Sequence, residues 1–199
     1  MSDYPALLSA FQNKRGTQLP IIIRNEFSNP IFYKKLAYNF LSISEEEAPC
    51  YYPNKKKAPQ TTVFKVNVDT LRHKKLLLLL FSGRFYFAKW CVFGDDLNYT
   101  VGELLNFVFP FDELSKTDEA ALMRIADKLN KQLDSTLQYK LNAGKYVGTY
   151  NTSKLWDITD ESDAIFLKYI TDCPVIVQEE LKTFVSQMAI AFKKESQGA

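Results

Sequence analysis

The chain has 199 residues, of which 46% are hydrophobic and 14% aromatic. This is enough apolar material for one domain with its own core, and it excludes a disordered tail. The formal net charge is only +2, which argues weakly against a protein that does nothing but bind nucleic acid.

The first 70 residues favour short strands. Residues 4–11 predict a short helix or a lead-in segment, and the β-branched segment 19–25 predicts a strand. Residues 31–41 fit either a helix or a strand, because helical spacing coincides with many aromatic side chains. Residues 44–60, rich in Glu, Pro and Lys, predict a loop. Residues 61–68 alternate with period two and predict a half-buried strand.

The next 75 residues favour helices. Asp69 or Thr70 is expected to cap a helix that begins at Leu71. Leucine and isoleucine side chains that recur three, four or eight residues apart predict an amphipathic helix from about 117 to 141, which Thr117 or Ser115 is expected to cap. The segment 142–144, Asn-Ala-Gly, is expected to stop that helix.

The C-terminal part begins with a polar segment. Residues 144–154, rich in Gly, Tyr, Asn and Lys, predict a loop or a hairpin. Helices are expected from 159 to 170 and again after Pro174.

These elements predict an α+β fold with short strands mainly in the N-terminal half and helices dominating the C-terminal half. We expect a single domain over residues 1–199. Within it, the strands occupy about 1–70, an aromatic core and a long helix occupy 71–143, and a polar loop with the C-terminal helices occupies 144–199.

The cysteines and the chain start give expectations about location. Three widely spaced cysteines form neither a metal-ligand pattern nor a disulfide framework, which favours a reducing compartment. No basic and apolar leader follows Met1, and the aliphatic run from Leu76 to Phe81 is too short to span a bilayer. We therefore expect a cytoplasmic protein without a membrane partner.

The most distinctive stretch is residues 76–114. A leucine run meets a break at Ser82 and Gly83, and a dense aromatic block follows. A turn is expected at Gly94 and Asp95, and the cluster Phe109-Pro110-Phe111 precedes the long helix. Composition alone predicts a buried core with a turn for this stretch.

The order of these segments resembles the order in the C-terminal target-recognition domain of TaqI-like adenine-specific DNA methyltransferases and type IIG restriction-modification enzymes. The similarity runs from residue 76 to about 141, and residues 146–168 resemble the family's C-terminal region. The chain departs from the family pattern at Phe81, where relatives have Asn, and at Asp112, where they have a second Pro. The segment 97–105 also lacks the basic residue that relatives often carry.

This resemblance implies a domain that recognises a specific sequence in double-stranded DNA and is not catalytic by itself. Its partners would be double-stranded DNA and a methyltransferase catalytic domain in the same polypeptide. No cofactor is expected in this chain. S-adenosylmethionine, and Mg²⁺ where the parent also cleaves DNA, would be held by the parent's other domains.

The motifs of the related catalytic domains are absent from the sequence. The nearest match to a base-binding Asp/Asn-Pro-Pro-Tyr/Phe tetrapeptide is Asn29-Pro30-Ile31-Phe32, which lacks the second proline and favours a turn. Glu180-Leu181-Lys182 matches part of a nuclease motif but falls on a predicted helix. We therefore expect no catalytic residue, no metal ligand and no enzyme activity for this chain alone.

The charges are segregated along the chain. Residues 54–89 hold nine basic side chains and one acid, whereas residues 95–134 hold nine acids and four bases. Three more lysines follow in a stretch without an acid, between 135 and 154. Such segregation predicts a basic face, although charge runs are also common on ordinary solvated surface.

Basic side chains supply phosphate contacts, and polar side chains on loops supply hydrogen bonds to base edges. The candidate phosphate-binding residues are Lys55, Lys56, Lys57, Arg72, Lys74, Lys75, Lys145 and Lys154. The candidate base-reading residues are Asn98, Tyr99, Thr100, Tyr150, Asn151 and Thr152. The Phe109–Phe111 cluster is expected to be core rather than a stacking surface. The alternative function is a protein-interaction or regulatory domain without DNA binding.

Overall fold

The computed structural model describes residues 3–36, 40–94 and 100–197, with side chains described as far as Met188. The helices are α1 Pro5–Phe11, α2 Leu19–Ile22, α3 Leu71–Ser82, α4 Arg84–Phe93, α5 Val101–Leu105, α6 Lys116–Leu133, α7 Trp156–Ile170 and α8 Pro174–Gln197. The strands are β1 Thr17–Gln18, β2 Asn29–Lys34, β3 Ile43–Ser44, β4 Cys50–Tyr51, β5 Val63–Val68, β6 Val108–Phe109, β7 Leu137–Asn142 and β8 Lys145–Tyr150.

The strands form small antiparallel sheets. Their orders are β1-β6, β3-β2-β5 and β4-β8-β7. Most strands lie in the N-terminal half and helices dominate the C-terminal half, so the predicted α+β class is confirmed. The first and third predicted segments, residues 1–70 and 144–199, contact each other, because β4 pairs with β8 and α1 packs against α8.

Helix α3 lies at the centre of the core. Its residues from Leu76 to Phe81 are all buried, whichever side of the helix they face. A helix that is apolar all round must be covered all round. Helices α4, α6 and α7 and strand β2 provide that cover.

The break between α3 and α4 is built around Gly83 and Asp163. Gly83 ends α3 and begins α4, and a Cβ at this position would overlap the carboxylate of Asp163 from α7. That carboxylate accepts hydrogen bonds from the first backbone N–H groups of α4, with 3.1 Å between Phe85 N and Asp163 Oδ2. A side chain from one helix therefore caps another.

The aromatic clusters of the central stretch are confirmed as core. Phe85, Phe109 and Phe111 are fully buried. The ring of Phe109 packs against Phe111 and Phe166, with centroids 4.8 and 5.1 Å apart. The prediction of core rather than base-stacking surface for Phe109–Phe111 is correct.

Two predicted helix caps are also confirmed. The Thr70 hydroxyl accepts the N–H of His73 at the start of α3, and the Ser115 hydroxyl accepts that of Asp118 at the start of α6. Of the turn expected at Gly94 and Asp95, Asp95 lies outside the described residues.

The strand predicted for residues 19–25 is wrong. The segment forms the short helix α2, and only Ile23 makes a bridge, to Val68. Leu19, Ile22 and Ile23 are buried while Ile21 is exposed, which is the spacing of a helix turn. Proline in the first turn of the helix fixes a helical φ without losing a hydrogen bond.

The predicted helix from 117 to 141 is too long. Helix α6 ends at Leu133, and residues 137–142 form strand β7. Leucines at 137 and 141 fit helical spacing, but they also fit a strand, because residues four apart lie on the same face of both. The segment 142–144 is accordingly a hairpin turn, and residues 144–154 begin with the hairpin strand β8.

Three smaller predictions need adjustment. Of the two possibilities for residues 31–41, the strand is correct for 31–34, which belong to β2, and residues 37–39 lie outside the described residues. Strand β2 also includes Asn29-Pro30, which we expected to form a turn. The predicted loop 44–60 contains the short strand β4 and begins within β3. Helix α7 begins at Trp156, three residues before the predicted start.

The length and apolar composition of a helix determine whether it could span a membrane. Within the described residues, no single helix has both the length and the apolar composition to cross a bilayer. Helices α3 and α4 meet the criterion only as a pair that is bent by 64°.

The buried cap predicts a pH-dependent stability. Burial raises the pKa of the Asp163 carboxyl from 3.8 to about 7. The folded state therefore binds the proton more tightly than the unfolded state, and stability should fall as the pH rises from about 4 to about 7. In Asp163→Asn this part of the pH dependence should be absent when the free energy of unfolding is measured by urea titration.

The matched control is Asp157→Asn, since Asp157 has a fully exposed side chain on the same helix. The control should keep the pH dependence of the parent chain. Equal slopes for the parent chain and Asp163→Asn would contradict a buried, proton-binding cap.

Candidate nucleic-acid interface

The sheet β4-β8-β7 brings together two segments that the sequence suggested for DNA contacts. Strand β4 leads into the turn with Lys55–Lys57, and β8 begins at Lys145. Cys50 is paired with Val147 and Tyr51 with Tyr146. Two stretches almost 100 residues apart in sequence therefore share one surface.

The lysine turn is a tight hairpin with an unusual backbone. Tyr52 O accepts the N–H of Lys55, and Lys56 O accepts the N–H of Tyr52, both at 2.9 Å. Lys55 has a φ of +64°, in the left-handed region that favours glycine. A turn of this kind usually carries glycine at that position. Lysine occupies it at a cost of about 1–2 kcal/mol.

The second hairpin joins β7 and β8. Ala143 and Gly144 form its turn with φ values of +47° and +75°, which is the type I′ geometry that matches the twist of a hairpin. Asn142 is paired with Lys145 on either side of the turn. The expected loop or hairpin is thus a hairpin, and its register fixes which side chains share a face.

Exposed tyrosines gather on one face of this sheet. Tyr51 lies beside Tyr146, and Tyr139 points to the same face because it is two residues from Leu141, the other neighbour of Tyr146. The ring centroids of Tyr51 and Tyr139 are 6.1 Å apart. The exposed fractions of Tyr51, Tyr52, Tyr139 and Tyr146 are 36%, 39%, 47% and 42%.

These side chains line an open groove of about 580 Å³. We call it the tyrosine groove; its lining residues are Tyr51, Tyr52, Pro53, Lys55, Tyr139 and Tyr146. Lys145 Nζ lies 5.7 Å from the ring centre of Tyr52. None of these described lining residues is acidic, so the groove favours an anionic ligand.

The remaining lysines of the turn are available at the surface. Lys56 and Lys57 are exposed, as is Lys154, which follows β8 in a short 3₁₀ turn. With Lys55 and Lys145, these residues are five of the eight predicted phosphate-binding residues. Lys145 begins β8, and Lys154 follows the other end of that strand. These five positions stay predictions.

The other three predicted phosphate-binding residues are placed elsewhere and are already engaged. Arg72 binds Glu119, with 2.7 Å between Nε and Oε1, and donates to Phe111 O. Lys74 pairs with Glu45, and Lys75 pairs with Asp127. These side chains hold α3 to its neighbours, away from the sheet β4-β8-β7, and their phosphate contacts stay predictions.

Two predicted base-reading residues need correction. Tyr150 and Thr152 are buried, with 5% and 1% of their surface exposed. The Thr152 hydroxyl donates to Leu41 O at 2.5 Å. Burial raises the pKa of the Tyr150 phenol to about 12, and the nearby Asp134 adds to the effect. Neither side chain is placed to contact a base edge.

The remaining base-reading candidates have mixed outcomes. The Asn151 side chain accepts hydrogen bonds from Ser153 N and Ser153 Oγ, so it caps the 3₁₀ turn. Thr100 caps α5 in a reciprocal arrangement with Glu103. Both are half-buried structural caps. Asn98 and Tyr99 lie outside the described residues.

Sequence reasoning missed the tyrosines of the groove. A signal was present, because Leu137, Tyr139 and Leu141 alternate with polar residues over the span of β7. The longer leucine pattern of α6 obscured it. Tyr51 and Tyr52 gave no local signal, since their role depends on pairing with a distant strand.

Among the residues that the structure describes, no group of three or more His, Cys, Asp or Glu side chains is arranged to hold a metal ion. Comparison with known protein families, with curated proteins and with solved structures found no match.

The strained turn predicts an unusual effect of glycine. Lys55→Gly should raise the free energy of unfolding by about 1 kcal/mol, because glycine adopts a positive φ without the Cβ penalty. Lys56→Gly is the matched control: it removes a neighbouring exposed lysine whose φ is not positive. It should not gain stability. Urea unfolding of both variants tests the difference, and an equal loss in the two would contradict the assigned backbone.

Proposed function

We propose that this chain recognises double-stranded DNA as the specificity domain of a restriction-modification adenine methyltransferase. By itself it is non-catalytic. The observation that carries the proposal is the pairing of β4 with β8, which brings Lys145 beside the exposed lysine turn of a distant segment. The order of the sequence motifs in the central stretch supports the assignment to this class of protein.

Lysines around the sheet supply the affinity for the duplex. Ion pairing with phosphates releases counterions, and each neutralised phosphate adds about 0.9 to the slope of log affinity against log salt. If Lys55, Lys56, Lys57, Lys145 and Lys154 each neutralise one phosphate, the slope is about −4 to −5. Such a slope is measurable in a simple titration.

Sequence recognition requires polar side chains at base edges. Of the predicted base-reading residues, Asn98 and Tyr99 keep this role. Asn151 and Thr100 contribute only the hydrogen-bonding groups that their capping interactions do not use. Phosphate contacts position the protein, whereas base contacts give the sequence preference. The two sets can therefore be separated by mutation.

In this function the domain lies beside a catalytic domain of the same polypeptide. That domain would bind S-adenosylmethionine and carry the methyl transfer, and the whole protein would act in the cytoplasm, where its DNA substrate lies. This chain contributes the contacts that select the site and hold the duplex.

A second candidate function is a protein-interaction or regulatory domain without DNA binding. The ion pairs of Arg72, Lys74 and Lys75 favour it, because these three basic side chains already bind carboxylates of the protein itself. The exposed apolar rings of the tyrosine groove also suit a protein partner. The salt dependence of duplex binding separates the two candidates.

Reversing the charge of the lysine turn should weaken duplex binding strongly. In the triple variant Lys55→Glu, Lys56→Glu and Lys57→Glu we expect at least a tenfold loss on every duplex sequence, and a slope reduced by about 3. The measurement is fluorescence anisotropy of a labelled duplex at two salt concentrations.

A matched control reverses three other exposed basic residues, Lys116, Arg124 and Lys182. It changes the net charge by the same amount and should alter the affinity and the slope much less. Equal losses in the two triple variants would indicate a general charge effect and remove the turn from the interface. Absence of salt-dependent duplex binding by the parent chain would favour the interaction domain.

A further inference from the structure

We propose that the tyrosine groove binds unpaired nucleobases of DNA by stacking them on its exposed rings. The inference deepens the proposed function and rests on it for the orientation of the sheet toward DNA. It assigns a class of ligand to the groove: bases that are not stacked inside a double helix. The lysine contacts to phosphates do not by themselves require such bases.

The geometry of the groove carries the first step. Tyr51, Tyr139 and Tyr146 stand on one face of adjacent strands, and Tyr52 extends that surface from the turn. Aromatic side chains on the exposed face of a small sheet are a recurring platform for bases, because a base offers a flat π-surface whatever its identity. The groove volume of about 580 Å³ is also in the range of sites that hold small ring systems.

Packing against the core does not explain why these tyrosine rings are exposed. None of the four tyrosines belongs to the main core as far as the structure describes the chain. Cys50 of β4 and Val147 of β8 form a small separate cluster with Ala58, whereas Tyr150 of β8 joins the main core and Leu137 of β7 packs against it. Leu141 on the same face is 58% exposed. A contiguous aromatic surface left open to solvent marks a site that something covers.

Charge selects nucleic acid as the occupant. Lys55 lines the groove, and Lys145 lies over the ring of Tyr52 at its edge. No described lining residue carries a carboxylate. A strand of DNA has flat bases separated by phosphates, so it matches rings flanked by lysines.

The backbone of Lys55 supports the same arrangement. Its positive φ places a charged side chain at a turn position where glycine would be unstrained. Strained residues concentrate at functional sites, where the surrounding structure holds them. Here the strained residue is the lysine that lines the groove.

The experiment compares a short intact duplex, the same duplex with a two-nucleotide bulge that contains 2-aminopurine, and an oligothymidine single strand. The parent chain should bind the bulged duplex about tenfold more tightly than the intact one and should quench the 2-aminopurine fluorescence, as expected for stacking on a ring. Binding is measured by anisotropy, and stacking by the fluorescence of the probe base.

The test variant carries Tyr139→Leu and Tyr146→Leu, and its partner carries Tyr139→Phe and Tyr146→Phe. Leucine keeps apolar volume but has no ring, so the preference for the bulge and the quenching should both be lost, while binding of the intact duplex and its salt slope stay. The phenylalanine variant should keep both. Phe93→Leu, which removes an exposed ring on helix α4, is the control and should behave like the parent chain.

The outcomes separate this inference from the proposed function. If the intact duplex binds with a steep salt slope but the bulge gives no preference, or the preference survives in the leucine variant, stacking in the groove is overturned and duplex recognition stands. If the single strand and the bulge bind through the tyrosines while the intact duplex does not bind, the inference stands and duplex recognition is overturned. If no DNA binds, both are overturned.

Discussion

The complete burial of helix α3 determines how the rest of the molecule is arranged. The residues from Leu76 to Phe81 are apolar on every side of the helix, so neighbours must surround it. Helices α4, α6 and α7 and the sheet of β2 do so. The sheet β4-β8-β7 joins this core through Tyr150 and Leu137, while the part next to β4 packs on its own small cluster and leaves the tyrosines open to solvent.

The peripheral sheet is nevertheless fixed to the core by buried polar contacts. Lys34 of β2 donates to Thr149 of β8 at 2.5 Å, and the hydroxyl of Thr152 donates to the backbone of Leu41. Burial lowers the pKa of the Lys34 ammonium, and the nearby Lys140 lowers it further. Moving the sheet would break these hydrogen bonds and leave buried polar groups unsatisfied, which is costly. The bonds therefore hold the sheet in a defined position.

Local sequence patterns predicted the features that local physics controls. The caps at Thr70 and Ser115 and the buried central stretch could be inferred because capping and apolar runs act over a few residues. The end of α6 could not, because leucines at 137 and 141 fit both periods. Only the pairing of β7 with β8 decides between a helix and a strand for that segment.

The candidate site was predictable in part for the same reason. The lysines of the turn and of β8 were found from composition, but their proximity follows from a pairing between strands almost 100 residues apart. Burial of Tyr150 and Thr152 depends on contacts with remote elements as well. The tyrosines became a site only once three strands were in register.

The charge segregation of the sequence acquires a specific meaning in the fold. Acids of the run 95–134 pair with bases of the run 54–89, as Glu119 does with Arg72 and Asp127 with Lys75. The two runs therefore neutralise each other where α6 packs against α3. Within the part of the chain that the structure describes, no such ion pair involves the lysines of the turn. A protein with a net charge of +2 can thus concentrate positive charge beside the tyrosine groove, and the modest total does not argue against an anionic partner there.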